Sequence, residues 1–122
     1  MALAHPKAVE QMKGIAGQLA YMKTGRALEV ACGGCEVTRD FLREVFEEVD
    51  LMDQCAESIA LARQLKEEYK IAGAVFQSSM EAFEPEREYS LVVMRYCTGY
   101  LDGAALAEFL RKMAKRLLPN QN

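Results

Sequence analysis

The segment that decides the fold runs from residue 27 to residue 35 and reads ALEVACGGC. Its first part, Ala27 to Ala31, is a short apolar run between glycines and predicts a buried strand. Its second part, Cys32 to Cys35, contains Gly33 and Gly34 and predicts a tight turn into a helix. Small residues in such a turn let a ligand approach the backbone, and the helix start favours negative charge. The segment is therefore either a ligand loop or simply a tight strand-to-helix turn.

The residues on both sides of this segment continue an alternation of strands and helices. Further strands are predicted at Val49 to Met52, Ala74 to Phe76 and Tyr89 to Met94. Apolar spacing predicts helices over residues 6 to 23, from Val37 to Phe46, from Cys55 to Tyr69, and on the face that joins Leu106, Phe109, Leu110, Met113 and Leu117. This alternation predicts an α/β fold with a parallel sheet, right-handed crossovers and ligand loops at the carboxyl ends of the strands.

Composition restricts the class of protein. The 122 residues suffice for one domain with one core, and 51% of them are hydrophobic. No apolar run approaches the roughly 20 residues of a membrane helix, and the N-terminus lacks a secretory-signal pattern. The net charge of −3 argues against a nucleic-acid binder that neutralises phosphates. Four cysteines without a secretory signal indicate reduced thiols in the cytoplasm or another reducing intracellular compartment.

Two charged features can be interpreted from their positions. Asp53 ends the second predicted strand about twenty residues after the turn, where an acid is placed to bind ribose hydroxyls. The same residue is placed to cap the helix that follows, and both roles can hold together. The charged stretch Lys66-Glu67-Glu68 is interpreted as a solvated helix face.

Several stretches together resemble one enzyme family. Glu29 to Cys35, an acid followed by small residues at alternate positions, is similar to the first motif of class I S-adenosylmethionine (SAM)-dependent methyltransferases. More specifically, the chain resembles the family that methylates the α-amino group of protein N-termini beginning Xaa-Pro-Lys. The resemblance runs from about residue 26 to residue 120, and the spacing between motifs is kept. The matching stretches are residues 46–53 (FEEVDLMD), 83–86 (FEPE), 99–101 (GYL), 107–111 (AEFLR) and 118–120 (LPN).

The resemblance implies a domain division and a sheet order. Residues 1–25 match the family less well and are predicted, from the apolar spacing described above, to form an N-terminal helix, whereas residues 26–122 would form the SAM-binding half of a methyltransferase domain. The fold would be a Rossmann-like parallel sheet of about four strands in the order 3-2-1-4 with flanking helices, an incomplete class I methyltransferase fold.

The resemblance also implies roles for individual residues. The positions that match the cofactor-binding motifs of the family are Glu29, Ala31, Gly33 and Cys35 along the methionine and ribose of SAM, Asp53 at the ribose hydroxyls, and Met80 and Glu81 beside the adenine. On the substrate side, Arg95 and Tyr96 would lie near the methyl group and a protein N-terminal peptide. Tyr100 aligns with a histidine implicated in catalysis.

Several positions depart from the family pattern. Cys35 stands where the third small residue is normally glycine. Glu36 stands where an arginine usually pairs with the carboxylate of SAM, and like charge there repels that group. Arg39, one helical turn further on, is a candidate substitute for that arginine. Tyr100 is a poor base because the reference pKa of tyrosine is about 10.

The sequence ends where the fifth strand of the family begins, so the remaining strands and their acidic catalytic residue do not follow. The fourth strand would then be an unpaired edge that is apolar on both faces, and such edges invite pairing. We therefore expect a homodimer or a partner protein that covers this edge. Catalysis by the chain alone is not expected, and whether it is an enzyme stays open.

The cysteines allow a different function. Cys32-x-x-Cys35 at a strand-to-helix turn is where thioredoxin-like proteins hold a redox pair. In the order 3-2-1-4, Cys55 and Cys97 would join these thiols at one end of the sheet, which makes a four-cysteine zinc site conceivable. The spacing matches no usual zinc pattern, and small cysteines commonly fill tight turns, so no metal ligand is assigned.

Three functions follow from these observations. The first is a SAM-dependent methyltransferase-like domain that acts on protein N-terminal amines. The alternative is a non-catalytic methyltransferase-like scaffold that uses its open sheet edge to dimerise or to bind a partner. A weaker alternative is a thiol or metal protein that works through Cys32 and Cys35. None of the three implies binding to nucleic acid or to a membrane.

Overall fold

The computed structural model describes residues 24–94 and 103–118. Its strands are β1 (Arg26–Val30), β2 (Glu48–Asp53), β3 (Val75–Gln77) and β4 (Leu91–Met94). Its helices are α1, made of a π-helical segment (Thr38–Leu42) and an α-helical turn (Arg43–Val45), then α2 (Ala56–Tyr69) and α3 (Gly103–Ala114). The helix predicted over residues 6 to 23 lies outside the described residues, so the division at residue 25 stays a prediction.

The four strands form one parallel sheet in the order β3-β2-β1-β4, which confirms the predicted fold and strand order. β1 is central, since Val30 pairs with Met52 of β2 on one side and with Met94 of β4 on the other. After β3 the chain crosses to the opposite side of β1. This reversal leaves a crevice at the carboxyl ends of the strands, which is where open α/β sheets hold their ligands.

Both faces of the sheet are buried, so the strands are apolar on both sides. On one face, alternate strand residues such as Ala27, Leu51 and Val93 pack against α1 and α2. On the other face, Leu28 and Val92 lie in a second cluster with side chains of α3 and of the segment after β3. The period of two along each strand assigns its residues to these two clusters.

The last helix is shorter than predicted. α3 ends at Ala114, and Leu117 pairs in parallel with Tyr89 instead of continuing the helix face. The Tyr89 N–H donates to the carbonyl of Arg116 at 2.7 Å, and the Leu118 N–H donates to the carbonyl of Tyr89 at 2.8 Å. The prediction was wrong because apolar spacing also suits a residue beside a buried strand edge, where Tyr89 offers both backbone groups.

The charged stretch Lys66-Glu67-Glu68 on α2 is not wholly solvated, in contrast to its prediction. Glu67 and Glu68 are exposed, but Lys66 is buried and its ammonium donates hydrogen bonds to the carbonyls of Val49 and Ala72. Lys66 therefore fastens the end of α2 to the sheet, because its long apolar stem can lie in the interface while its ammonium satisfies backbone oxygens. Within residues 24–94 and 103–118, no helix has the length and apolar character that crossing a membrane requires.

Candidate functional site

A cavity of about 500 Å3 opens at the carboxyl ends of β1, β2 and β3. Its walls come from the turn between β1 and α1, from the end of β2 with the first turn of α2, and from the segment after β3. The volume lies within the range of small-molecule sites, about 300–1,000 Å3. Topology alone brings these three segments together, since parallel strands end at the same edge of a sheet.

The turn between β1 and α1 has an unusual backbone. Ala31, Gly33 and Cys35 all have positive φ, at 55°, 53° and 58°. The turn is closed by the Cys35 N–H, which donates to the carbonyl of Cys32 at 2.7 Å. A Cβ placed on Gly33 would meet no other atom within 4 Å, so the space over this backbone is open to the cavity. Left-handed conformations at non-glycine residues are costly and often occur at functional sites.

Asp53 holds two walls of the cavity together. Its Oδ2 accepts a hydrogen bond from the Gly33 N–H at 2.9 Å, and its Oδ1 accepts one from the Cys55 N–H at 2.9 Å. The second bond serves the start of α2, so the predicted capping role is present. An ionised carboxylate has about four lone-pair sites, which leaves acceptor capacity for ligand hydroxyls. The ribose-binding role stays a prediction.

Glu29 supports the same loop from inside the sheet. It is 2% exposed, and its Oε1 accepts hydrogen bonds from the Thr38 N–H at 3.0 Å and from the Thr38 hydroxyl at 2.7 Å. Thr38 is the first residue of the π-helical segment. The carboxylate of Glu29 thus fixes the start of α1 while also lining the cavity.

The structure brings most of the predicted cofactor residues to this cavity. Those that line it are Glu29, Ala31, Gly33, Asp53, Met80 and Glu81. Cys35 is fully buried in the core behind the turn and is not among the lining residues, because its left-handed backbone directs the side chain inward. Arg95, Tyr96 and Tyr100 lie outside the described residues, so their roles stay predictions.

Arg39 does not take the place of the missing arginine. Its Nε and Nη2 bind the two carboxylate oxygens of Asp40 at 2.8 and 3.0 Å, and it does not line the cavity. Glu36, in contrast, does line the cavity.

The thiols at the turn lack the features of a reactive pair. Cys32 and Cys35 are both buried, and the pKa of Cys32 is raised by its hydrogen bond with Cys35, by burial, and by the charges of Cys35, Glu29 and Asp53. Reactive cysteines instead lie in electropositive surroundings that lower the thiol pKa. In the part of the chain that the structure describes, no three side chains are grouped to hold a metal ion, and Cys97 lies outside that part.

Some lining residues were not predicted from sequence. Ser58 in the first turn of α2, and Ser78 and Ser79 directly after β3, offer hydroxyls to the cavity. Each follows the carboxyl end of a strand within a few residues. The rule that ligands bind at these ends was the signal that could have found them.

Comparison with known proteins gives a consistent result. A family model described as AdoMet dependent proline di-methyltransferase matches residues 8–121. The chain is 32% identical over 102 residues to the N-terminal Xaa-Pro-Lys N-methyltransferase 1 of Rattus norvegicus, which covers 80% of this chain and 46% of that protein. The protein of the same description from Danio rerio is 34% identical over 98 residues, covering 79% and 44%. The chain therefore spans about half the length of the curated relatives it matches.

Solved structures show the same fold. A SAM-dependent methyltransferase of Leishmania major superposes with a TM-score of 0.75 at 24% identity, covering 92% of this chain and 46% of that one. The glycopeptide N-methyltransferase MtfA, complexed with sinefungin, superposes with a TM-score of 0.69 at 21% identity, covering 91% and 46%.

Proposed function

Because the chain belongs to the AdoMet-dependent proline di-methyltransferase family, we propose that its cavity binds SAM and that it forms the cofactor-binding half of an enzyme that methylates protein N-terminal α-amines. The observation that carries this proposal is that Glu29, Gly33 and Asp53 line one cavity at the carboxyl ends of the strands, where Asp53 accepts a hydrogen bond from the Gly33 N–H. The relatives named as N-terminal methyltransferases support the substrate class. The scaffold and thiol or metal alternatives have no better support from these comparisons.

The lining residues fit an adenosyl ligand. The open backbone at Gly33 and the remaining lone pairs of Asp53 suit a sugar with vicinal hydroxyls, and Met80 offers an apolar wall for a base. SAM, when bound, supplies a methyl group activated on a sulfonium for in-line transfer to a neutral amine. The residues of this chain would bind and orient that ligand, because in-line transfer requires the methyl group to be held in position for attack by the amine.

The outer edge of β4 is a candidate site for a further strand. β4 is bonded to β1 on one side, and on its other side Tyr89 pairs with the segment around Leu117. By strand alternation, the N–H and C=O groups of Leu91 and Val93 point the same way as those of Tyr89. Among the described residues, no strand pairs with these groups. We propose that a strand from a second copy or from a partner protein adds there.

Free thiols support the predicted compartment. Cys32, Cys35 and Cys55 form no disulfide in the described part of the chain. We propose that the protein works in a reducing intracellular compartment, the cytoplasm being the first candidate.

Calorimetric titration of the purified chain with SAM tests the cofactor proposal. We expect saturable binding that becomes about tenfold to hundredfold weaker in Asp53→Asn, since a hydrogen bond to a charged group contributes about 1.5–3 kcal/mol. Asp53→Ala should weaken binding at least as much, because it also frees the Gly33 N–H.

Glu68→Gln is the matched control, because Glu68 is an exposed carboxylate on α2 that does not line the cavity. Its affinity for SAM should equal that of the wild type. No detectable heat up to millimolar SAM would contradict the proposed function.

A further inference from the structure

The cavity wall after β3 is a stretch of coil followed by one turn. Its lining residues are Ser78, Ser79, Met80 and Glu81. The Ser78 N–H donates to the carbonyl of Asp53 at 3.0 Å, which attaches the start of this wall to the end of β2. The turn then closes on itself, since the Phe83 N–H donates to the carbonyl of Ser79 at 3.1 Å. Such a turn does not by itself fix where Met80 and Glu81 stand against the cavity.

Apolar side chains of α3 pack under this wall. Met80 and Phe83 lie in one buried cluster with Phe109 and Met113 of α3. Met80 belongs to both the cluster and the cavity, because it is buried and also lines the cavity. Apolar burial is non-directional, so it holds the wall close to α3 without orienting the backbone of the wall.

Lys112 of α3 supplies a directional contact to the same wall. Its Nζ donates to the backbone carbonyl of Glu81 at 3.0 Å and binds Glu84 Oε1 at 2.8 Å. The Lys112 side chain is 20% exposed, which is low for a lysine on a helix surface. One ammonium therefore joins α3 to two points of the segment after β3, and one of these points is a residue that lines the cavity.

The two contacts of Lys112 differ in what they can do. The Glu84 side chain is 73% exposed, and an ion pair with so exposed a partner contributes little because water screens it. The bond to the carbonyl of Glu81 is charge-assisted and depends on direction. It holds the peptide unit of a lining residue, so it bears on the orientation of the wall itself.

We infer that Lys112 is a positioning residue of the cofactor site, which acts through the carbonyl of Glu81 to hold the wall formed by Met80 and Glu81 in its binding arrangement. This inference rests on the proposed function, because it assumes that the cavity binds SAM. Lys112 is not among the described residues that line the cavity, so its effect on the ligand is indirect. Helix α3 thereby takes part in cofactor binding without contacting the cofactor.

Calorimetric titration of the full chain with SAM tests this role. We expect Lys112→Met to bind SAM about tenfold more weakly than the wild type, which is the order of effect of losing one charge-assisted hydrogen bond. Lys112→Arg should stay within about threefold of the wild type, because a guanidinium also donates to carbonyls. Methionine keeps the apolar stem of the lysine, and circular dichroism checks that each variant is folded. Should Lys112→Met not fold, Lys112→Gln takes its place in the same comparison.

Two control variants separate the contacts of Lys112. Glu84→Gln removes the charge of the ion pair but leaves the bond to the carbonyl of Glu81, so its affinity for SAM should stay within about twofold of the wild type. Lys115→Met makes the same replacement at an exposed lysine after the end of α3 and should leave the affinity unchanged.

Amide hydrogen exchange distinguishes positioning from general stability. In Lys112→Met without ligand, the N–H groups of Ala82 and Phe83, which bond to Ser79, should exchange severalfold faster than in the wild type. The N–H groups of β1 should exchange at the wild-type rate. A purely stabilising role would instead accelerate exchange in both places.

The outcomes separate this inference from the proposed function. If the wild type binds SAM and Lys112→Met binds it equally tightly, the inference is overturned while the proposed function stands. Equal losses in Lys112→Met and Glu84→Gln would overturn the assignment to the carbonyl of Glu81, and faster exchange in β1 would overturn the positioning role. If the wild type does not bind SAM, both the inference and the proposed function are overturned.

Discussion

At the scale of single residues, the buried Lys66 gives the fold a specific pH dependence. Its side chain is 9% exposed, and burial lowers its pKa to about 8, partly offset by the charge of Asp50. In the unfolded chain the pKa returns to about 10.4. Between these values the unfolded chain binds more protons, so Lys66 makes the free energy of unfolding rise with pH, by up to about 3 kcal/mol in total.

Denaturant unfolding of wild type and Lys66→Met between pH 7.5 and pH 10 measures this contribution. The difference in unfolding free energy, wild type minus variant, should rise across that window. The unfolding free energy of the variant is subtracted because two other groups, Cys32 and Tyr89, have raised pKa values in the folded protein and lower its stability as pH rises. Their effects begin near the pKa values of the unfolded chain, about 8.5 for cysteine and about 10 for tyrosine. Lys115→Met, at an exposed position, is the control, and a flat difference for Lys66→Met would contradict the argument.

At the scale of elements, the π-helical segment of α1 depends on one buried contact. Thr38 is fully buried, and both its N–H and its hydroxyl bind Glu29 Oε1. Thr38→Val keeps the shape of the side chain but removes the hydroxyl. Because hydrogen bonds to charged groups contribute about 1.5–3 kcal/mol, we expect the free energy of unfolding to fall by about that amount. Chemical denaturation measures it.

Thr38→Ser provides the comparison for this element. It keeps the hydroxyl and loses only a methyl group, so its cost should be smaller than that of Thr38→Val, about 1 kcal/mol. Equal losses in the two variants would mean that packing, rather than the bond to Glu29, holds the start of α1.

At the scale of the whole molecule, the proposal that a second copy adds to the outer edge of β4 predicts the state of association. The backbone groups of Leu91 and Val93 point away from β1, and Val93→Pro removes an outward N–H without touching the bonds to β1. We expect wild-type chain to form a dimer in sedimentation equilibrium, and Val93→Pro to weaken it at least tenfold. Val93→Ala keeps the N–H and should remain closer to wild type.

The outcome that would contradict a second copy on this edge is a wild-type chain that stays monomeric, soluble and well folded. A partner protein on the same edge would then be sought by adding the unmatched half of a relative as a separate polypeptide.

How far the sequence predicts this molecule depends on which force places each residue. The strands from Ala27 and from Val49 were predictable because both sheet faces are buried, so apolar residues point to both faces and only Glu29 and Asp50 interrupt them. Lys66 and Leu117 were not, because their positions depend on partners distant in sequence, the carbonyls beside β2 and the edge at Tyr89. The same limit applies to Ser78, which topology alone brings to the cavity.

The double attachment of Asp53 has a mechanical consequence. One oxygen of this carboxylate accepts a hydrogen bond from the Gly33 N–H and the other accepts one from the Cys55 N–H, so a single side chain links the turn after β1 to the start of α2. Neither segment can open without straining the other, so they behave as one cooperative unit in local fluctuations. A ligand that engages either segment would therefore restrict the motion of both.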